Sequence, residues 1–352
     1  MRRMDGSANQ GLWIGLGVLC LVVAGFLLMN RESGEVSGDR NSKDGPLVIY
    51  CGRSEELVGP LLEQYRTEAG DRIEVRYGQT TQMAATILEE GAHSPADLFI
   101  AQDTGALGAL AGKDLLAPLP EDILGKVDST FRSPNGVWVG LSGRARVVVY
   151  NTQNVSAEDL PGDITGFCDP SWKGRLGWAP ANGSFQAFVT AFRALKGEEE
   201  AESWLHCILA NEVRDYPKNT PIVAAVGAGE IDVGFVNHYY LYRFLAEEGE
   251  TFPARIAFLR SGEAGSLVNV SGIGILATSR RQERAADLVR YLLSEPAQRF
   301  FSQETYEYPM VQGVAPHPDL PSLVSLQPPH LDLSALEDLE GTLQLLKRAG
   351  AL

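Results

Sequence analysis

Four consecutive residues, Asn237-His238-Tyr239-Tyr240, set two phenols side by side directly after the apolar run IDVGFV (231–236). A phenol has a reference pKa near 10, so at neutral pH it becomes an oxygen ligand only when a strongly charged cation displaces its proton. Two adjoining phenolates suit a hard trivalent ion such as Fe3+, which prefers charged oxygen donors to thiolates. The same pair also reads as plain packing, the usual role of neighbouring tyrosines at a helix start. Other residue types offer little competing chemistry. No two of the five histidines (His93, His206, His238, His317, His330) have the i, i+4 spacing that puts two ligands on one helix face. Four of them read as surface positions and His206, within WLHCILANE, as structural. A nucleophile elbow, a phosphate-binding loop, H-E-x-x-H and G-x-G-x-x-G are all missing from the sequence, so the chain reads as a binding protein and not an enzyme.

Positioning these phenols requires a strand that ends where a helix begins, and the chain repeats that pattern. LVIY (47–50) leads into SEELVGPLLEQY, where Ser54 is a fair N-cap and Leu57, Leu61 and Tyr65 mark one helical face. RIEVRY (72–77) alternates as a strand, and Thr80 opens a helix with Met83, Ile87 and Leu88 inward. Further strands are expected at DLFIA (97–101), VWVGL (137–141), RVVVY (146–150) and RLGWA (175–179), and IDVGFV feeds the helix HYYLYRFLAEE. Strand followed by helix, repeatedly, means an α/β fold, and the strand's C-terminal end is where such sheets bind ligands.

Thirty basic against 45 acidic residues give a net charge of −15, which repels nucleic acid and anionic lipid headgroups alike. The first 45 residues are charge-balanced, so the whole excess lies beyond them. Gly11 to Met29 carries no charge over 19 residues, and as a helix spans roughly 28 Å, about the hydrocarbon thickness of a bilayer. Arg2 and Arg3 before it keep the N-terminus cytoplasmic and export the rest. Residues 1–30 therefore read as a signal or membrane anchor, with Val23-Ala24-Gly25 as an alternative cleavage point, and residues 31–45 as a flexible linker. Cys51, Cys168 and Cys207 follow in the exported part and allow at most one disulfide; Cys168 with Cys207 is the pair within one lobe, and spacing leaves that bond open.

From about residue 46 to the C-terminus the stretches VIYCGRSEELVGPLLEQY, SPADLFIAQDTGALGAL, GLSGRARVVVYNT, WKGRLGWAPANGSFQAF, YPKNT, VGFVNHYYLYR, GSLVNVSGIGIL and ETYEYP, taken in order, resemble the periplasmic ferric-iron-binding proteins, the substrate-binding components of iron(III) ABC importers. The resemblance implies a two-lobed α/β fold of the type II periplasmic-binding-protein kind, with hinge strands near RVVVY and NVSGIGIL. Lobe 1 is then 46–145 with 270–320, and lobe 2 is 146–269 with 321–352 packing back. It also implies a monomer outside the cytoplasm that serves an ABC permease and ATPase.

Carried over residue by residue, the family's tyrosine pair falls on Tyr239 and Tyr240. One branch adds a His and a Glu, but those positions here are Ser54 and Gln102, neither of them a convincing ligand. Other branches add a tyrosine, which the resemblance places at Tyr150, so that three phenolates offset the three charges of Fe3+. A synergistic anion, carbonate or phosphate, has two candidate seats. One is the helix start at Asn182, Gly183 and Ser184 with Asn219 and Asn237, where free backbone N–H groups attract anions. The other is Arg53, Arg144 and Arg146, which alternatively form salt bridges at the hinge; Asp103 beside Gln102 counts against phosphate. The rival readings are a receptor for an organic or oxyanionic solute in the same fold, and an anchored sensory or structural subunit.

Overall fold

The computed structural model describes residues 45–260 and 262–352. In chain order its main elements are β1 (Leu47–Cys51), α1 (Glu55–Ala69), β2 (Ile73–Tyr77), α2 (Thr80–Glu90), β3 (Leu98–Ala101), α3 (Thr104–Ala111), β4 (Trp138–Asn151), β5 (Leu176–Trp178), α4 (Gly183–Lys196), α5 (Glu198–Ala210), β6 (Arg214–Asp215), α6 (Asn219–Gly227), β7 (Val233–Asn237), α7 (Tyr239–Glu248), β8 (Ala254–Ala257), β9 (Val268–Ile275), α8 (Gln282–Leu292), α9 (Glu295–Gln303), β10 (Tyr308–Pro309) and α10 (Leu339–Ala349). The strands run in the order β2-β1-β3-β9-β4-β7-β5-β6, with β8 and β10 both added to β4. Among the described residues no helix is long and apolar enough to cross a membrane. The segment expected to do so, 11–29, lies outside them.

Two strands were expected at 137–141 and 146–150, but the structure makes them one. β4 runs unbroken for 14 residues, all buried. The intervening SGRAR looks polar enough for a turn, yet it is strand because its partners change along its length. Trp138–Ala145 pair antiparallel with β9, Arg146–Tyr150 with β7, and Val148–Asn151 with β8. Gly143 serves close approach here, not turning: a Cβ would sit 2.7 Å from the Met310 side chain and 3.1 Å from that of Tyr308, whose strand β10 pairs at this point.

The two ends of β4 belong to different cores, which is what makes the molecule two-lobed. One core gathers β1, β3, the first half of β4, β9 and α8, through residues such as Phe99, Trp138, Ile273 and Leu288. Beyond Ala145 the side chains alternate, as a strand's period of two requires. Val148 and Tyr150 enter a core with Phe167, Trp178, Phe188 and Trp204, while Val147 and Val149 enter another with Ile222, Val226 and Leu241. The C-terminal segment is shared, Leu326, Leu333 and Leu336 joining the first core and Leu345 and Leu346 the second. Leu88, expected inward on α2, is 43% exposed.

Cys168 and Cys207 are bonded, with Cα atoms 5.3 Å apart and a separation of 39 positions in sequence, leaving Cys51 free and buried. A cross-link closing a loop of that length restricts the unfolded chain, so replacing both cysteines by serine should cost about 4 kcal/mol. Urea unfolding without reductant measures this, and an unchanged midpoint would mean that the bond does not form in the folded protein.

Candidate functional site

The last residue of β7, Asn237, pairs with Arg146 of β4, and two residues later α7 begins at Tyr239. A strand passing straight into a helix leaves no loop to absorb misplacement, so the phenols are fixed by the sheet. Their rings stack at 4.4 Å between centroids and 28° between planes. Tyr239 is buried and Tyr240 half-buried. Burial, and next the neighbouring Tyr240, raise the Tyr239 phenol well above its ordinary pKa, while Arg144 opposes the rise.

Three buried guanidinium groups surround the pair. Arg53, just beyond β1, makes a two-pronged bond to Glu307, Nη1 to Oε1 at 2.9 Å and Nη2 to Oε2 at 2.7 Å, and both side chains are shut off from solvent. Burial alone would lower the Arg53 pKa, but the Glu307 carboxylate outweighs it and the net shift is upward. Glu307 itself is held below the usual carboxylate range, Arg53 prevailing over burial. Arg144 donates to the Gln102 carbonyl, yet its Nε and Nη1 find no partner. Arg146 donates to Asn237 Oδ1 at 3.4 Å and lies 5.3 Å from the Phe188 ring, while its Nη2 finds none. Burial depresses both, Arg146 to about 9, because neither has a carboxylate bonded to it. Buried N–H groups without acceptors are costly, and each of the three arginines, Arg53 included through its Nε, carries at least one.

The other expected site residues fall into distinct groups. Asn182 caps α4, its Oδ1 accepting from the Ser184 backbone N–H at 3.1 Å, the Ser184 hydroxyl at 2.6 Å and Asn219 Nδ2 at 3.2 Å. Gly183 is exposed beside them, and α4 also brings Phe185 and Phe188 against Arg146. Ser54 is exposed, and Gln102 contributes its backbone, accepting from Arg144 and donating to Thr80 Oγ1. Asp103 caps α3, with burial raising its pKa against Arg144's pull.

Tyr150 stands apart. The register sets it opposite Val233, at the far end of β7 from Asn237, four residues along β4 from Arg146. At about 3.3 Å per residue that is roughly 13 Å. Since β4 and β7 are hydrogen-bonded neighbours, no hinge motion can close the gap, and Tyr150 instead packs with Val148 in the second core. The histidines also reverse their expected roles: His206 is exposed, whereas His238 is fully buried, with burial pulling its pKa down to about 4. Nothing local singles out Glu307: its motif ETYEYP holds two acids, Glu304 and Glu307, and only the distant Arg53 distinguishes the second. Among the described residues no group of three or more His, Cys, Asp or Glu side chains gathers to hold a metal.

The family described as bacterial extracellular solute-binding proteins matches residues 93–331. The chain is a bacterial extracellular solute-binding protein. Within that family it is 33% identical to the major ferric iron-binding protein of Neisseria meningitidis serogroup B, over 86% of this chain and 92% of the relative. It is 30% identical to the Fe(3+)-binding periplasmic protein of Serratia marcescens, over 88% of this chain and 92% of that one. Its fold matches iron-bound HitA from Pseudomonas aeruginosa with a TM-score of 0.82 at 34% identity, covering 87% of this chain and 99% of that structure. Proteins of this family bind and carry rather than catalyse, and the solute-binding protein described here has the type II two-lobed architecture of its structural relatives.

Glu307 neutralises the most deeply enclosed of the three arginines, so Glu307→Gln should destabilise the fold by about 3–5 kcal/mol, the cost of stranding a buried charge. Because the folded-state pKa of Glu307 is depressed, its contribution is present above the unfolded value of about 4.3 and is lost as pH falls below it. Urea midpoints of wild type and variant between pH 3 and 7 check both statements, and equal midpoints at neutral pH would contradict them.

Proposed function

We propose that this chain is an extracytoplasmic receptor for ferric iron that holds Fe3+ through the phenolates of Tyr239 and Tyr240. The observation carrying this reading is the stacked phenol pair set against buried guanidinium groups that lack acceptors. Two phenolates leave one positive charge on the ion, and Arg144 and Arg146 add two more. An anion of high charge must therefore complete the shell, and carbonate or phosphate meets both the charge and the free N–H groups. Asn182, Gly183, Ser184 and Asn219 offer a second, neutral set of donors on the α4 side. Tyr150 is left out of the shell, for the strand register that separates it.

The lobes hinge where β4 passes from one core to the others, near Ala145, and where the chain returns to the first core just ahead of β9, between Ala264 and Leu267, and closure around the ion gives an ABC permease and its ATPase a shape to recognise. Residues 11–29 export the receptor and tether it, or are removed afterwards. The relatives' names support the ferric cargo. A receptor for an oxyanionic solute remains the second reading, because three buried arginines also suit a free oxyanion.

Each phenol loses a proton on becoming a ligand, so iron uptake should release about two protons and weaken as pH falls. Calorimetric titration with ferric nitrilotriacetate in two buffers of different ionisation enthalpy measures that release. Tyr239→Phe and Tyr240→Phe should each lower ferric affinity by more than the roughly 10- to 100-fold lost when an outer partner of a metal ligand is removed. Tyr150→Phe should leave both quantities unchanged. Ferric binding without proton release, or wild-type affinity in either pair variant, would favour the oxyanion receptor.

A further inference from the structure

His238 has no place in the reading above, yet it makes three hydrogen bonds at the point where the chain passes between lobes. Its backbone N–H donates to the Ala145 carbonyl at 3.1 Å, and its Nδ1 accepts from the Ala145 N–H at 3.1 Å, so ring and backbone together grip one residue of β4. Its Nε2 lies 2.6 Å from the Tyr306 carbonyl. Because Nδ1 accepts and a carbonyl can only accept, the proton must sit on Nε2. The ring is wholly buried, between Tyr239 and Tyr308.

The far partner is equally constrained. Tyr306 has φ of +56°, a left-handed conformation that a bulky residue adopts only where its surroundings impose it. Its ring stacks on Tyr242 of α7 at 4.5 Å and 6°, and lies 4.3 Å from His317. Tyr242, one helical turn beyond His238, donates its hydroxyl to the Asp319 carbonyl at 3.2 Å and is counted in the first core. The residue after Tyr306 is Glu307, the partner of Arg53. One face of α7 thus rests on the first lobe through His238 and Tyr242, while Leu241 on another face enters the third core.

We propose that His238 is a positioning residue, a neutral imidazole protonated at Nε2 that fastens the tyrosine-bearing helix to β4 at Ala145 and to the first lobe at the Tyr306 carbonyl. The ligand pair is thereby held in one orientation relative to both lobes, and iron leaves slowly because release requires parting the Nε2–Tyr306 bond. This rests on the assignment of iron to Tyr239 and Tyr240.

Two substitutions divide the ring's functions. Asn puts an oxygen near the Nδ1 position and keeps the acceptor for Ala145, but reaches no donor to Tyr306; Gln extends an amide N–H toward Tyr306 and gives up that acceptor. In full-length protein loaded from ferric nitrilotriacetate and challenged with excess EDTA, His238→Asn should release iron roughly tenfold faster, the scale of one buried hydrogen bond. Its phenolate-to-iron absorption band should shift, while His238→Gln restores both to within about twofold. Wild-type rates and spectra in both variants, or equal acceleration in both with equal loss of thermal stability, overturn the proposal. Iron-free protein with 15N-labelled histidine gives an independent arm: His238 should show the Nε2–H tautomer, and an Nδ1–H tautomer overturns the proposal. A colourless wild type would sink the ferric assignment, leaving the tautomer to decide the positioning role.

Discussion

Arg53, Arg144 and Arg146 are all withdrawn from water, and among the described residues only Arg53 has a carboxylate bonded to it, that of Glu307. Taking a guanidinium out of water costs several kcal/mol unless an opposite charge and good hydrogen bonds compensate. Arg53 has both through its two Nη groups, whereas Arg144 and Arg146 have a carbonyl and an amide oxygen; each of the three keeps at least one buried N–H without a partner. A fold tolerates such an arrangement when something outside the chain completes it. The surrounding construction serves the same end: β4 lines up two of these arginines, β7 sets Asn237 and then the phenols against them, and the loop after α9 returns Glu307 to the third.

Much of this was legible in the sequence because it depended on local pattern. The alternation of strand and helix, the apolar run before the tyrosines and the helix after them follow from periodicity and from residue order. What escaped depended on partners far away in sequence. SGRAR looks like a break between two strands until β9 and β10 supply edges for it, which only the folded sheet provides. Glu307 is one acid among 45 until Arg53, 254 residues earlier, is brought to it.

Tyr150 illustrates the opposite failure. The resemblance places the additional tyrosine of other branches at the end of RARVVVY, but a motif carries no distance to the phenol pair. On a strand, however, four residues are a long way, and residues at 146, 148 and 150 share a face while standing successively farther from the site. His238 and His206 exchanged roles for a related reason: their neighbours in sequence are alike in polarity, and only the packing of α7 against the first lobe, and of α5 with one face outward, separates them. A strand that spans two lobes therefore carries the site at its midpoint and a core at each end, and the same residue type changes function along it.

The central claim is that ferric iron binds at the Tyr239–Tyr240 pair. An anomalous difference map collected at the iron edge, from crystals grown with ferric ion, tests it most directly. The account predicts a single strong peak bonded to the hydroxyl oxygens of both Tyr239 and Tyr240, with anion density reaching toward Arg144 and Arg146. A peak beside Tyr150, or iron bound without either phenol of the pair, would contradict it.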